Sequence, residues 1–164
     1  MRTINLTVTR SNQTIARNDV ELKVCTPVDV VKIYRDIRFH FPDASEEHLI
    51  NWILDIICKR GIVFSAEVSG RVVGTIGFEN IKLFNDGGGS DCISSVWLYI
   101  HSSYKEKHLS TMLVNMAREY ANETGLMVKL NPKNGVGDVD SDIFFENQGF
   151  EPLGETYIYR RILN

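Results

Sequence analysis

The stretch LYIHSSYKEKHLSTML, residues 98–113, decides how the rest of the chain is interpreted. Its first residues complete an apolar, β-branched run that predicts a strand from Ile93 to Ile100, and a short polar connection follows. From Leu109 to Ala121 apolar side chains recur at helical spacing, which predicts the clearest amphipathic helix in the chain. The stretch therefore predicts a strand, a short loop and a helix N-terminus in immediate succession.

The loop before this helix has properties that suit an anion. Free backbone N–H groups at a helix N-terminus, together with the helix dipole, create positive potential in front of the helix. Lys105 and Lys107 add side-chain charge. This combination suits a pyrophosphate, but the spacing alone favours an ordinary strand–helix connection with solvated lysines, because most such loops bind nothing.

Two helices are predicted upstream of the quoted stretch. Thr26 and Pro27 have the residue types of a helix cap and a first helical position, so we expect a helix that runs to about His40. A second helix is expected to begin at Ser45, with acidic residues in its first turn, and to end at Gly61.

The remaining upstream pattern is that of strands. Residues 20–25 predict a strand ahead of the helices. Residues 62–68 and 71–78 are two β-rich runs separated by Ser-Gly, which predicts a hairpin with a tight turn. Residues 85–90 are rich in Gly, Asn and Asp and predict a flexible turn.

Downstream of the quoted stretch we expect a strand at Leu126–Leu130, a short helix that reaches Asn147, and a last hairpin that ends at Tyr159. The whole order predicts a mixed α/β sheet with helices on both faces. Residues 1–19 alternate apolar and polar near their start and are assigned to an N-terminal extension or arm. Residues 20–164 are assigned to one domain.

The composition limits the possible functions. The chain has 164 residues, 43% of them hydrophobic, and a net charge of -3, which favours one soluble domain and disfavours nucleic acid as its main partner. Three cysteines form no CxxC pair and the histidines form no HExxH pattern, so we expect reduced thiols and no metal site. We expect a cytoplasmic protein without a membrane partner, because no apolar run suits a signal peptide or a membrane helix.

The quoted stretch resembles the central motif of the GCN5-related N-acetyltransferases (GNAT), a strand reading roughly L-Y-V-H-P followed by R/Q-x-x-G-x-G/A and a helix. Leu98–His101 matches the strand. Lys105 takes the Arg/Gln place, His108 that of the first glycine, and Ser110 that of the second small residue. Residues 144–155, FFENQGFEPLGE, are similar to the family's later F-Y-E-K-L-G-F-E-x-x-G-E.

The resemblance implies a single-domain α/β GNAT fold, whose fourth and fifth strands, counted from Val20, splay apart to admit the pantetheine arm of acetyl-CoA. Main-chain groups near Leu98 and Ile100 would bond this arm, and the N–H groups of about Glu106 to Thr111 would cradle the pyrophosphate. The residues that the resemblance assigns to acetyl-CoA are Leu98, Tyr99, Ile100, Lys105, Glu106, Lys107, His108, Leu109, Ser110, Thr111 and Phe145.

Three positions depart from the family pattern. His108 replaces a glycine that lets phosphate approach the backbone and that tolerates an unusual φ. Glu106 places a carboxylate where positive potential is wanted. Phe145 replaces the tyrosine that commonly protonates the leaving thiolate, and phenylalanine has no proton to give. A CoA thiolate can leave unaided, so Phe145 predicts slower transfer.

A general base would have to take a proton from the acceptor amine. Glu79, at the end of the third strand counted from Val20, is one candidate, although a solvated strand-end carboxylate is the commoner role of a glutamate. At the family's usual acidic position this chain has Ser94, which could only order a water. No catalytic residue is therefore assigned beyond these two candidates.

The resemblance implies an acetyl-CoA-dependent N-acetyltransferase, in which the amine of a small molecule or a protein attacks the thioester directly. Two alternatives stay open: a GNAT-fold binding or structural module with little catalysis, and a regulatory sensor of CoA. The stretch from Lys105 to Ser110 separates them, because an enzyme or a sensor must bind CoA there. A homodimer is also considered, since family members often dimerise through a sheet edge.

Overall fold

The computed structural model describes residues 4–7, 19–85, 88–104, 108–131, 145–153 and 156–160. The described strands are β1 (Ile4–Thr7), β2 (Asp19–Val24), β3 (Gly61–Val68), β4 (Arg71–Asn85), β5 (Gly88–Ile100), β6 (Met127–Leu130), β7 (Glu151–Leu153) and β8 (Thr156–Tyr159). The longer helices are α1 (Val30–Ile37), α2 (Glu46–Asp55) and α3 (Leu109–Thr124).

All of these strands join one mixed sheet in the order β1-β2-β3-β4-β5-β6-β8-β7. β5 and β6 run parallel, whereas the other neighbouring pairs are antiparallel. The first strand lies at one edge, where Ile4 pairs with Leu22. The mixed α/β sheet predicted from the sequence is confirmed.

Helices cover both faces of this sheet, as predicted. Because strand side chains alternate between faces, the neighbours Trp97 and Leu98 belong to different hydrophobic cores. Leu98 lies in the core beneath α3, on what we call the α3 face. Trp97 lies in the core beneath α1 and α2, with Ile33 and Ile53, on the α1/α2 face.

The helix starts follow the predicted capping chemistry. The backbone N–H of Thr26 donates to the carboxylate of Asp29 at 2.9 Å, and the N–H of His48 donates to Ser45 Oγ at 3.1 Å. The first helix is less regular than expected. It begins with the 3₁₀ turn Pro27–Asp29, continues as α1 and ends in the 3₁₀ turn Arg38–His40.

Gly61 ends the second helix, as predicted, after the π-helical turn Ile56–Arg60. A Cβ at this position would lie 1.7 Å from the carbonyl oxygen of Phe78. The close approach of β3 and β4 therefore requires glycine here.

The hairpin between β3 and β4 is confirmed. Both turn residues have positive φ, 51° at Ser69 and 77° at Gly70, which suits the right-handed twist of the strands. The predicted turn at residues 85–90 is wrong for its second half, since Gly88–Ser90 belongs to β5 and Asn85 pairs with Gly88. The β4–β5 ladder continues beyond the Ile81–Cys92 pair and carries these glycines into the strand. Residues 86–87 lie outside the described ranges.

The strands β5 and β6, which are the fourth and fifth counted from Val20, separate as predicted. In the described residues β6 pairs with β5 only from Cys92 to Ser94. A register shift in the β4–β5 ladder leaves Val96 as an extra residue between the pairs that contain Ser95 and Trp97. Because a bulge bends its strand, β5 turns away from β6 just past their last pair.

Candidate active site

The separation of the two strands opens one edge of β5. The N–H of His101 donates to the carbonyl of Val73 at 2.8 Å, so His101 pairs with β4. Main-chain groups of successive residues point to opposite edges of a strand. Tyr99 therefore also points its N–H and C=O at β4, while those of Leu98 and Ile100 point toward the open edge.

The side chains of this segment are used for packing. Leu98 and Ile100 are buried beneath α3. Tyr99 is half-buried on the α1/α2 face, where its ring lies against His40 with centroids 4.5 Å apart. The segment thus offers a ligand its main chain, and binding of acetyl-CoA there stays a prediction.

The open edge leads to the N-terminus of α3. The first intrahelical bond runs from the N–H of Met112 to the carbonyl of His108 at 3.1 Å. The N–H groups of Leu109, Ser110 and Thr111 precede it, and the residue at the N-cap makes no side-chain capping bond. These three donors lie at the positive end of the helix, where they can bind an anion. The predicted loop residues 105–107 lie outside the described part of the chain.

His108 has a backbone conformation that favours glycine, the residue of the family pattern at this position. Its φ is 59° and its ψ is 22°, which is left-handed backbone at the N-cap of α3. A side chain with a Cβ is strained in this conformation, whereas glycine is not. The departure from the family pattern at His108 therefore carries a conformational cost.

Phe145 lies in the hydrophobic core and is fully buried. Its ring lies 4.7 Å from that of Tyr157 and 6.3 Å from that of Phe150, centroid to centroid. The residue thus packs the C-terminal hairpin against the α3 face. Its predicted contact with acetyl-CoA stays a prediction.

The two candidate catalytic residues come together where β5 and β6 part. Glu79 and Ser94 are direct partners across β4 and β5, and Ser94 also forms the last pair with β6, opposite Lys129. We call this point the vertex. Glu79 accepts a hydrogen bond from Arg60 Nη2 at 2.8 Å, and Arg60 Nε pairs with Asp55 at 2.9 Å.

The vertex side chains lie on the α1/α2 face. Phe78 and Ile93 adjoin them in sequence and belong to the core of the α3 face, so Glu79 and Ser94 point to the other side. The carboxylate of Glu79 is partly exposed and is oriented by Arg60, so an amine could reach it.

A cavity of about 720 Å³ was not predicted. It lies between α1 and the ends of β4 and β5, on the α1/α2 face, and is lined by Lys32, Arg35, Asp36, Arg38, Phe39, Gly70, Arg71, Val72, Tyr99 and His101. One sequence signal could have indicated it. Asp36 follows Ile33 by three residues and precedes Ile37 by one, and both isoleucines lie in the core. This spacing places a carboxylate on the face of α1 that should be apolar.

Asp36 is the most buried polar group of this cavity, with 7% of its surface exposed. Its Oδ2 has no hydrogen-bond partner among the residues that the structure describes. Burial raises the pKa of Asp36 to about 7, and the charge of Arg71 opposes the rise. A carboxylate in this position can gain from a donor supplied by a ligand.

Within the described residues, no group of three His, Cys, Asp or Glu side chains could hold a metal ion. Nor is any helix in the described ranges long and apolar enough to cross a membrane.

Comparison with known proteins identifies the family. The model of the "Acetyltransferase (GNAT) family" matches residues 28–150, which is most of the chain. A comparison with curated protein sequences finds no match.

Solved structures share the fold. The aminoglycoside N-acetyltransferase AAC(6')-Iy, in complex with the bisubstrate analogue CoA-S-monomethyl-acetylneamine, has a TM-score of 0.68 and 12% identity, over 88% of this chain and 99% of that one. A GNAT family acetyltransferase from Brucella melitensis in complex with acetyl-CoA has a TM-score of 0.65 and 13% identity, over 90% and 91% of the two chains. A GNAT family N-acetyltransferase from Escherichia coli in complex with CoA has a TM-score of 0.63 and 17% identity, over 86% and 81%. From the match of its sequence to the family model, and with this fold, the chain belongs to the GNAT family of acetyltransferases.

Proposed function

We propose that this chain is an acetyl-CoA-dependent N-acetyltransferase. The observation that carries the proposal is the open edge of β5, where the main-chain groups of Leu98 and Ile100 have no strand partner among the described residues. Family membership supports it, and so do the similar structures with CoA or acetyl-CoA bound.

The residues present fit the co-substrate. Leu98 and Ile100 would bond the pantetheine arm through their main chain, as an added strand would. The N–H groups from Leu109 to Thr111 would face the pyrophosphate, and Lys105 and Lys107 would add charge if they lie beside it. Acetyl-CoA would supply the thioester-activated acetyl group, which an amine attacks directly.

The vertex is the proposed place of proton transfer. Glu79 would accept the proton of the attacking amine, directly or through a water held by Ser94. Arg60 would act as a positioning residue, because its hydrogen bond fixes the carboxylate. The carboxylate then comes from β4, beside the position on β5 where the family usually has it.

The departing thiolate receives no proton from residue 145. Phe145 has no hydroxyl and its ring is enclosed by the core. The proposed enzyme would therefore depend on the low basicity of the CoA thiolate, with a lower rate than relatives that carry a tyrosine.

A second function is favoured by the same departure. Phe145 supplies no acid for the leaving thiolate, which suits a protein that binds CoA without turning it over. A CoA sensor or a weakly active GNAT-fold module would have this feature. Turnover with an amine separates the two functions, because either protein would bind CoA.

The acceptor is proposed to be an amine of a small molecule or a protein. The neighbour AAC(6')-Iy acts on aminoglycosides, so the fold accommodates small polyamines. We further propose a cytoplasmic location, and a homodimer remains part of the proposal. The N-terminal 19 residues would form an extension to the acetyltransferase domain of residues 20–164.

Isothermal titration calorimetry with acetyl-CoA tests the proposal. The wild type should bind with micromolar affinity, and His108→Glu should abolish binding, since it places a negative charge at the helix N-terminus. Lys59→Gln changes an exposed residue in the π-helical turn that precedes β3. It is the matched control and should bind acetyl-CoA normally. Absence of wild-type binding at millimolar acetyl-CoA would overturn the proposal and leave the fold intact.

Turnover gives the second test. Once an acceptor amine is found, Glu79→Gln should lower kcat by at least about tenfold without changing acetyl-CoA affinity. An unchanged kcat would remove Glu79 from the mechanism and leave the rest of the proposal standing.

A further inference from the structure

The cavity beside α1 has the size of a small-molecule site. Its volume of about 720 Å³ lies within the range of roughly 300–1,000 Å³ typical of ligand pockets. Four elements build its walls: α1 with the 3₁₀ turn that follows, the β3–β4 turn, the start of β4, and the end of β5. It therefore depends on the tertiary fold and is not a groove within one element.

Cationic side chains dominate this cavity. Lys32 is paired with the buried Glu67 at 3.3 Å. Arg35, Arg38 and Arg71 have no carboxylate within ion-pair distance among the described residues. Three guanidinium groups surround one cavity, and Arg71 lies close enough to Asp36 for their charges to interact. Together they attract anions and repel polycations.

One buried carboxylate adds the opposite charge. Asp36 has an Oδ2 without a described hydrogen-bond partner, although its side chain is nearly enclosed. Its raised pKa agrees with a group that lacks a donor. A buried acceptor left unsatisfied is costly and rare, so it indicates that a donor arrives from outside.

A structural role explains only part of this set. Arg35 and Arg38 lie at the C-terminal end of α1, where cations interact favourably with the helix dipole. That role does not account for Arg71, which begins β4 and contacts His101 Nε2 at 3.3 Å. Nor does it account for Asp36. A carboxylate near a helix C-terminus interacts unfavourably with the helix dipole, and its burial is unfavourable because it loses hydration.

We propose that this cavity binds a small amine that also carries a carboxylate or phosphate group. The anionic group would lie among Arg35, Arg38 and Arg71, and the ammonium would donate to Asp36. The exposed ring of Phe39 at the rim would cover the apolar part of the ligand. A zwitterion of this kind satisfies both kinds of charge in the cavity at once.

The cavity lies apart from the vertex on the same face. Tyr99, which lines the cavity, and Ser94 are five residues apart on β5, or roughly 15 Å at the usual rise per residue. The rings of Trp52 and Trp97 also pack on this face, with centroids 5.2 Å apart. Because of the distance between the cavity and the vertex, the ligand is either a long acceptor that reaches the vertex or a separate effector. Both kinds of ligand have the same recognition chemistry.

Calorimetry of the full chain with matched probes tests the proposal. O-phosphoethanolamine would be compared with ethanolamine and inorganic phosphate, and β-alanine with β-alaninamide. We expect each anionic amine to bind at least about tenfold more tightly than its single-charge counterparts. Arg71→Gln should lower that affinity by about tenfold, whereas Lys59→Gln should not.

Asp36→Asn provides the second arm. It should weaken binding of O-phosphoethanolamine and leave binding of inorganic phosphate unchanged, because only the amine faces residue 36. Equal affinity for the anionic amines and their single-charge counterparts, no binding of any probe, or no effect of Arg71→Gln would each overturn the proposal. A thermal melt of each variant excludes unfolding as the cause.

A transferase assay distinguishes the two sources of ligand. A probe that inhibits acetyl transfer in competition with an acceptor amine identifies the cavity as part of the acceptor site. A probe that binds without competing with the acceptor identifies a separate effector site. The affinity comparisons need no acetyl transfer, so failure of the proposed function would leave them decisive.

Discussion

His108 and Asp36 each occupy a place that another residue would fill at a lower free energy. His108 holds a left-handed backbone that suits glycine, and Asp36 places a carboxylate in a nearly enclosed site. Where local rules are broken in this way, the usual reason is function at that position. Both residues border the sites proposed above. Function at these sites would explain their cost in free energy, and substitution of each residue measures that cost.

His108→Gly should stabilise the fold by about 1 kcal/mol, because glycine adopts positive φ without strain. It should also strengthen acetyl-CoA binding, since the backbone at the start of α3 becomes more accessible. Urea denaturation and calorimetry measure the two effects. Gly125→Ala, at the left-handed C-cap of the same helix with φ of 76°, is the opposing control and should destabilise by a similar amount. A less stable His108→Gly protein would contradict this explanation.

Asp36 should make stability depend on pH. Its pKa rises from 3.8 to about 7 on folding, so between these values the folded state holds a proton that the unfolded state has lost. Stability should therefore fall as pH rises from about 4 to 7 and stay lower above that range. The change in pKa corresponds to at most about 4 kcal/mol.

Asp36→Asn should remove this dependence, and it should raise the melting temperature at pH 8 more than at pH 5. The other charged or titratable groups that line the cavity are Lys32, Arg35, Arg38, Arg71, Tyr99 and His101. These groups are common to both proteins, so the difference between the two melting curves isolates Asp36. Parallel curves would show that the carboxylate does not stay protonated in the fold.

At the scale of elements, local sequence patterns predicted the features that depend on residues close together in the chain. The caps of α1 and α2 and the β3–β4 turn follow from residue types within four positions of each other. Strand pairing was missed where the local composition indicated something else. The extension of β5 back to Gly88 depends on pairing with β4, and the glycine-rich composition indicated a turn instead.

Gly61 tests the packing between two elements. Gly61→Ala would place a Cβ 1.7 Å from the Phe78 carbonyl and must push β4 away from β3. We expect a loss of at least about 2 kcal/mol in the free energy of unfolding. Because the neighbours Arg60 and Glu79 would shift as well, any transferase activity should fall further than stability explains. Gly70→Asn, in an open turn with φ of 77°, should change stability by less than about 0.5 kcal/mol. Equal effects of the two substitutions would contradict the close approach.

At the scale of the whole molecule, the sequence predicted the family and the splay but not the cavity. The splay could be predicted because a strand, a loop and a helix that adjoin in sequence carry the family motif. The cavity joins Arg71 on β4 to Asp36 on α1, and only the tertiary fold brings the two together. The vertex was predicted in part. Glu79 and Ser94 were both named from the sequence, but their pairing depends on the β4–β5 register.

Removal of residues 1–18 tests whether β1 contributes to stability, to acetyl-CoA binding, or to both. β1 lies at the edge of the sheet, four strands from β5, and contributes one antiparallel pairing with β2. Loss of that pairing should lower the melting temperature by a few degrees, because it removes one short ladder. Acetyl-CoA affinity should stay within about twofold, since distant sites rarely couple.

The truncated chain also exposes the edge of β2, which invites association between copies. The affinity should therefore be measured at low concentration, with light scattering as a check on association. A large loss of acetyl-CoA binding in monomeric truncated protein would show that the first strand supports the site across the sheet. The boundary between extension and domain would then have to move ahead of residue 19.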